Sequence, residues 1–300
     1  MSGIDTLSRD LGPEAQSHGL TRRAALGAFT VGYAAALAAE AAEAQAITTS
    51  SEDLIEERVS FPAHGGHQLP AFVARRDGPG RRAVVIVVNE VFGIHAYIQD
   101  VCRRFAQLGY VAVAPDYFHR AGDPSTLTEW DQIRAIVNTA SHAQVMGDTD
   151  AAIAWASAQP FGDGARIAIT GFCWGGTVVW MAAASNPAIK AGVAWYGRLV
   201  AREGVTEDRL YPVDIAGSLT APVLGLYAEN DGGIPLDTVE TLRARLAQAA
   251  PTNPSAAASR IEVFPGTEHG FHADYRRQYN APAATAGWAK LLDWFRAAGV

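Results

Sequence analysis

From residue 47 onward, short apolar runs alternate with longer stretches in which apolar residues recur at helical spacing. Runs at 57–61, 68–74, 83–88, 111–114, 166–170, 191–195, 223–227 and 260–264 have strand length and end at turn-forming residues. The later ones are nearly all apolar, as expected of strands covered on both faces. Between them the spacing predicts helices over 97–108, 129–157, 173–184, 236–248 and 283–298, the second broken near Gly147. Strand–helix alternation of this kind predicts an α/β fold, here a mostly parallel sheet of about eight strands with helices on both faces.

The first 46 residues follow a different pattern. Thr21-Arg22-Arg23-Ala24-Ala25-Leu26 leads into an Ala-rich, weakly apolar stretch ending near Ala39, and Ala44-Gln45-Ala46 offers small residues to a signal peptidase. The segment resembles a twin-arginine export signal, which implies delivery to the periplasm. It departs from such signals at Ala25, where a large apolar residue is usual, and in the long acid-containing stretch before the arginines. The alternative is a plain Ala-rich helix. Residues 1–46 are thus expected to be a leader and 47–300 a single domain. Gly27 and Gly32 dilute an apolar stretch already shorter than the ~20 residues of a bilayer span, so no stable membrane span is expected.

Composition narrows the partners. A net charge of −7 without a basic run gives no footprint for nucleic acid or an anionic membrane, leaving a small molecule as the expected ligand. The oligomeric state has no signature in the sequence, and a monomer is expected. The two cysteines, Cys102 and Cys173, are too few for a disulfide framework. Cys102 falls among the apolar positions of helix 97–108 and reads as a small core residue. No Cys-x-x-Cys pair suggests redox chemistry, and His64-Gly65-Gly66-His67 lacks adjacent metal-ligating residues, so neither metal nor cofactor is expected.

Cys173 sits at the centre of the segment richest in chemistry. Ile167-Ala168-Ile169-Thr170 is an apolar strand, Gly171-Phe172-Cys173-Trp174-Gly175 a tight turn, and Gly176-Thr177-Val178-Val179 opens a helix. This strand–turn–helix order is what a nucleophile elbow requires, with glycines where strand and helix would otherwise collide. A thiol just before a helix N-terminus is favoured as thiolate by unpaired N–H groups. In such a fold the acid and base follow in chain order, each on a loop after a strand. Asp231, after run 223–227, is the expected acid, with Glu229 as competitor. His269, after run 260–264, is the expected base and lies nearer the strand end than His272. Run 83–88 leads into Asn89-Glu90-Val91-Phe92-Gly93, where the fold places an oxyanion donor, so Val91 N–H would pair with Trp174 N–H.

Glu90-Val91-Phe92-Gly93, then Gly109-Tyr110-Val111…Ala114-Pro115-Asp116-Tyr117, the Gly171–Gly176 elbow, Trp195-Tyr196-Gly197, Asp231 and His269-Gly270-Phe271 together resemble the dienelactone hydrolase family, over roughly residues 55–298. The resemblance implies an α/β-hydrolase fold and a Cys173–His269–Asp231 triad. It also implies that Glu90 takes the thiol proton when substrate arrives. Family members that cleave dienelactone hold the substrate carboxylate with arginines, one a few residues past the catalytic histidine. Here that stretch reads Phe271-His272-Ala273-Asp274, and Arg276 and Arg277 follow only later, so the reaction class carries over more directly than the substrate. The expectation is a carboxylic ester hydrolase acting on a lactone or small ester through a thioester. A broad small-ester carboxylesterase and a non-catalytic exported ligand-binding protein are the alternatives.

Overall fold

The computed structural model describes residues 46–201 and 210–300; the expected leader, apart from its last residue, lies outside them. Eight strands form one sheet in the order β1-β2-β4-β3-β5-β6-β7-β8. They are β1 Leu54–Pro62, β2 Gln68–Arg76, β3 Arg82–Val88, β4 Val111–Pro115, β5 Gly162–Phe172, β6 Ile189–Trp195, β7 Val223–Ala228 and β8 Arg260–Phe264. β2 pairs antiparallel with β1 and β4, and every other pairing is parallel. Val84 to Val88 of β3 are all fully buried. Consecutive strand residues point to opposite faces, so both faces of the sheet are covered.

The longer helices are α1 Ala96–Gln107, α2 Trp130–Val137, α3 His142–Ala158, α4 Trp174–Ser185, α6 Leu236–Ala249 and α8 Ala281–Ala297, with the short α5 Pro212–Ile215 and α7 Pro254–Ala258 between them. α1 and α8 pack together through Phe105 against Trp288 and Phe295. Cys102 is buried in α1, where burial pushes its thiol pKa up, and both cysteines are free. Among the described residues, no helix is long and apolar enough to cross a membrane.

Two boundaries differ from the periodicity. The break expected near Gly147 lies at residues 138–141, where Ser141 restarts the helix by accepting the Gln144 N–H at 3.2 Å. Gly147 is inside α3 and is small for another reason: a Cβ there would lie 2.9 Å from His64 Nδ1. β5 also begins four residues early, because Gly162 and Asp163 pair with Arg82 and Ala83 before a register shift.

Candidate active site

The register of the parallel strands brings the chemistry together. Val88 pairs with Gly171, Phe172 with Trp195, Trp195 with Leu226, and Ala228 with Phe264. The loops after β3, β5, β6, β7 and β8 therefore leave the sheet side by side, carrying Glu90, Cys173, Tyr196, Asp231 and His269. Open α/β sheets bind ligands at this carboxyl edge.

Cys173 links β5 to α4 with φ 56° and ψ −117°, a geometry that a side-chain-bearing residue rarely adopts. Close approach of the backbone maintains it. A Cβ on Gly171 would lie 2.4 Å from the Gly175 carbonyl oxygen, and one on Gly175 would lie 2.5 Å from that of Val88. Cys173 N–H donates to the Trp195 carbonyl at 3.1 Å. The thiol remains partly exposed at the mouth of this turn.

His269 Nδ1 stands 2.7 Å from Asp231 Oδ2. The other carboxylate oxygen accepts the N–H groups of Gly233 and Ile234 at 2.8 and 3.1 Å. Burial alone would raise the Asp231 pKa, but the His269 charge and these hydrogen bonds outweigh it and hold it below the usual range. Burial would likewise lower that of His269. The charges of Asp231 and Cys173, with hydrogen bonds to both side chains, instead push it up to about 10. The imidazole is thus bonded to the carboxylate and lies within electrostatic reach of the sulfur. The competing candidates lie elsewhere: Glu229 accepts Gly266 N–H, and His272 bonds Tyr97 Oη at 2.6 Å beneath Trp195. Burial holds the His272 pKa down to about 3, leaving a neutral ring.

Glu90 is fully buried. One oxygen accepts from Tyr275 Oη at 2.7 Å and lies 3.2 Å from His95 Nε2; the other lies 3.8 Å from Arg276 Nη2. Burial raises its pKa, but Arg276 foremost, then His95 and Tyr275, bring it down to about 2. Asn89 Nδ2 donates to the Glu90 carbonyl at 2.6 Å and Gly93 N–H does so at 3.2 Å, folding the loop so that Val91 N–H makes no main-chain hydrogen bond. Trp174 opens α4, so its N–H has no acceptor one turn back.

The structure corrects the reading of Arg276 as remote. Residues 270–276 coil tightly, with Ala273 N–H on the Gly270 carbonyl at 2.8 Å and Arg276 N–H on that of Ala273 at 2.9 Å. The guanidinium consequently folds back over Gly270, lies 5.1 Å from the Phe92 ring centre, and is close enough to Cys173 for their charges to interact. Tyr275 and His95 also escaped selection from sequence, since each is drawn in by packing rather than by motif spacing, and Tyr196 was legible only as part of the Trp195-Tyr196-Gly197 motif, without a role. A polar cavity of about 240 Å³, lined by His95, Arg58, Gln99, Asp116 and Asp123 among others, is lined by none of Cys173, Asp231 or His269.

An elbow, a carboxylate–imidazole pair and paired backbone donors at the edge of a sheet in this order define the α/β-hydrolase class. Residues 69–299 match the model of the dienelactone hydrolase family, and the chain belongs to that family. It is 44% identical over 94% of both chains to a protein of Methylorubrum extorquens named "Putative carboxymethylenebutenolidase". A protein of the same name from Escherichia coli K12 is 41% identical over 84% of this chain and 91% of its own. A solved structure, described as that of a "Putative Dienelactone Hydrolase" from Klebsiella pneumoniae, shares 44% identity with a TM-score of 0.75, covering 81% of this chain and 98% of that one. The protein is a carboxylic ester hydrolase of the dienelactone hydrolase type.

Proposed function

We propose that the protein hydrolyses a lactone or small ester through a Cys173 thioester. The observation that carries this reading is a sulfur on a strained elbow within electrostatic reach of an imidazole whose Nδ1 is 2.7 Å from a buried carboxylate. While Arg276 pairs with it, Glu90 is too acidic to hold a proton. A substrate carrying a carboxylate would draw Arg276 away, raise the Glu90 pKa and let Glu90 accept the Cys173 proton. The thiolate then attacks the acyl carbon, and the carbonyl oxygen takes hydrogen bonds from Val91 and Trp174 N–H. His269, held as an imidazolium by Asp231 and by the thiolate beside it, gives its proton to the leaving oxygen and, once neutral, takes one from the water that cleaves the thioester. Glu90 finally returns its proton to the sulfur.

Arg276 favours anionic esters over the broad carboxylesterase reading. Stoichiometric alkylation with iodoacetamide tests the nucleophile: turnover should stop when Cys173 is modified, and a short-lived acyl adduct on Cys173 should appear by intact mass in rapid-quench samples. Full turnover by the alkylated protein or by Cys173→Ala would end the reading. A panel of enol lactones and neutral aryl esters separates the two substrate classes. The Thr21-Arg22-Arg23 leader further supports export, which N-terminal mass mapping of protein from the periplasmic fraction tests; uncut chain confined to the cytoplasm would refute it.

A further inference from the structure

Tyr196 follows β6 directly, and its φ of 38° places a bulky residue in the left-handed region, at a cost of order 1–3 kcal/mol. Two features hold it there. Its N–H donates to the Leu226 carbonyl at 2.8 Å, and the adjoining Gly197 is pressed against the elbow helix, so that a Cβ on it would lie 2.3 Å from Thr177 N. The ring is fully buried, edge-on to His269 at 5.1 Å and to Phe271 at 5.4 Å. Its hydroxyl is buried without a partner in hydrogen-bonding geometry. Tyr97 Oη is near enough for a loose hydrogen bond with it, while its own short bond, at 2.6 Å, is to His272 Nδ1. Glu90, Arg276 and Cys173 also lie within electrostatic reach of the phenol.

A buried O–H without a well-placed acceptor costs up to about 1–3 kcal/mol, and here that penalty adds to backbone strain. Both are retained beside the reacting sulfur, where an arriving substrate would supply the missing acceptor. Among the oxygens of an ester, the carbonyl oxygen has two backbone donors in Val91 and Trp174. The leaving oxygen has the His269 ring alone, and Tyr196 packs against that ring.

We propose that the Tyr196 hydroxyl is a catalytic hydrogen-bond donor to the leaving oxygen of the substrate. The proposal rests on the Cys173 reading above. As the acyl C–O bond breaks, its electron pair passes to the leaving oxygen and His269 supplies the proton. Tyr196 keeps its own proton and stabilises the charge while it develops, as a preorganised donor does in a site that excludes water.

The test is Tyr196→Phe in the full-length protein, assayed on succinate monoesters, which keep a free carboxylate on the acyl side, with leaving groups running from p-nitrophenol to simple alcohols. The variant should lose roughly tenfold or more in kcat/KM on alkyl esters but under about threefold on the p-nitrophenyl ester, where leaving needs little help. Its melting temperature should hold or rise, because an unsatisfied hydroxyl has gone. Equal losses across the series, or none, overturn the proposal. Site-specific 3-fluorotyrosine at position 196, a stronger donor of the same shape, should raise the alkyl-ester rate; an unchanged rate counts against it. Cys173→Ala run alongside separates the two claims. If that variant is inactive while Tyr196→Phe loses rate uniformly, only the tyrosine proposal falls; if it still turns over, both fall.

Discussion

Gly175→Ala tests whether the elbow is as tight as its contacts imply. The new Cβ would stand 2.5 Å from the Val88 carbonyl oxygen and 2.7 Å from that of Asn89, where Cβ atoms essentially never approach other atoms closer than 3.0 Å. Both neighbours are backbone, so neither can swing aside. The loop after β3 or the start of α4 must move by at least about half an ångström, and overpacking of this kind costs about 1–3 kcal/mol. The melting temperature should fall by roughly 4–10 °C for a domain of this size. Activity should suffer more than stability, because the displaced segments carry Val91 and Trp174, the proposed oxyanion donors. Misplacement approaching 1 Å costs about a hundredfold, so kcat on a lactone should drop between roughly tenfold and a hundredfold. Gly217→Ala, whose Cβ would meet nothing within 4 Å, is the control and should change neither. Differential scanning calorimetry and steady-state kinetics on both variants decide the matter. A Gly175→Ala protein with unaltered melting and kcat would show that strand and helix are not in close backbone contact.

The other expectations concern charge. Asp231→Asn keeps acceptors for Gly233 and Ile234 but removes the largest charge holding the His269 pKa up, so burial should bring that pKa down from about 10. A raised imidazole pKa contributes stability that is complete below the ordinary value of 6.5 and lost as pH climbs through about 10. Wild type should therefore lose melting temperature between those pH values while Asp231→Asn stays nearly level, and parallel curves would refute the pairing. Arg276→Gln should raise the Glu90 pKa from about 2, moving the acid limb of kcat/KM upward and costing anionic esters more than neutral ones; an unmoved limb would rule out the ion pair. Arg120→Ala strips the buried Asp148 carboxylate of its bidentate partner at 2.6 and 2.9 Å, leaving only the His64 N–H. Chemical denaturation should show a loss of about 3 kcal/mol with activity per folded molecule preserved; a loss under about 1 kcal/mol would show that the carboxylate is adequately solvated without Arg120.

By itself the sequence determined the sheet, the elbow and the order of the reactive groups. Strand-length apolar runs cannot be soluble unless covered on both faces, and two glycines flanking Cys173 at a strand-to-helix turn leave few other backbone paths. Asp231 and His269 were legible because each follows a strand end that parallel register places at one edge. Only the tertiary structure paired Asp231 rather than Glu229 with an imidazole, and His269 rather than His272 with that carboxylate, since within each pair both members follow the same strand and the loop's fold sets which side chains meet. It also moved the helix break from Gly147 to Ser141, because the small residue serves close contact with His64 rather than a helix end. Arg276, Tyr275 and His95 reach the site through coiled loops and aromatic packing between segments distant in the chain. Their positions depend on which surfaces pack together, a property of the folded chain that local spacing does not encode.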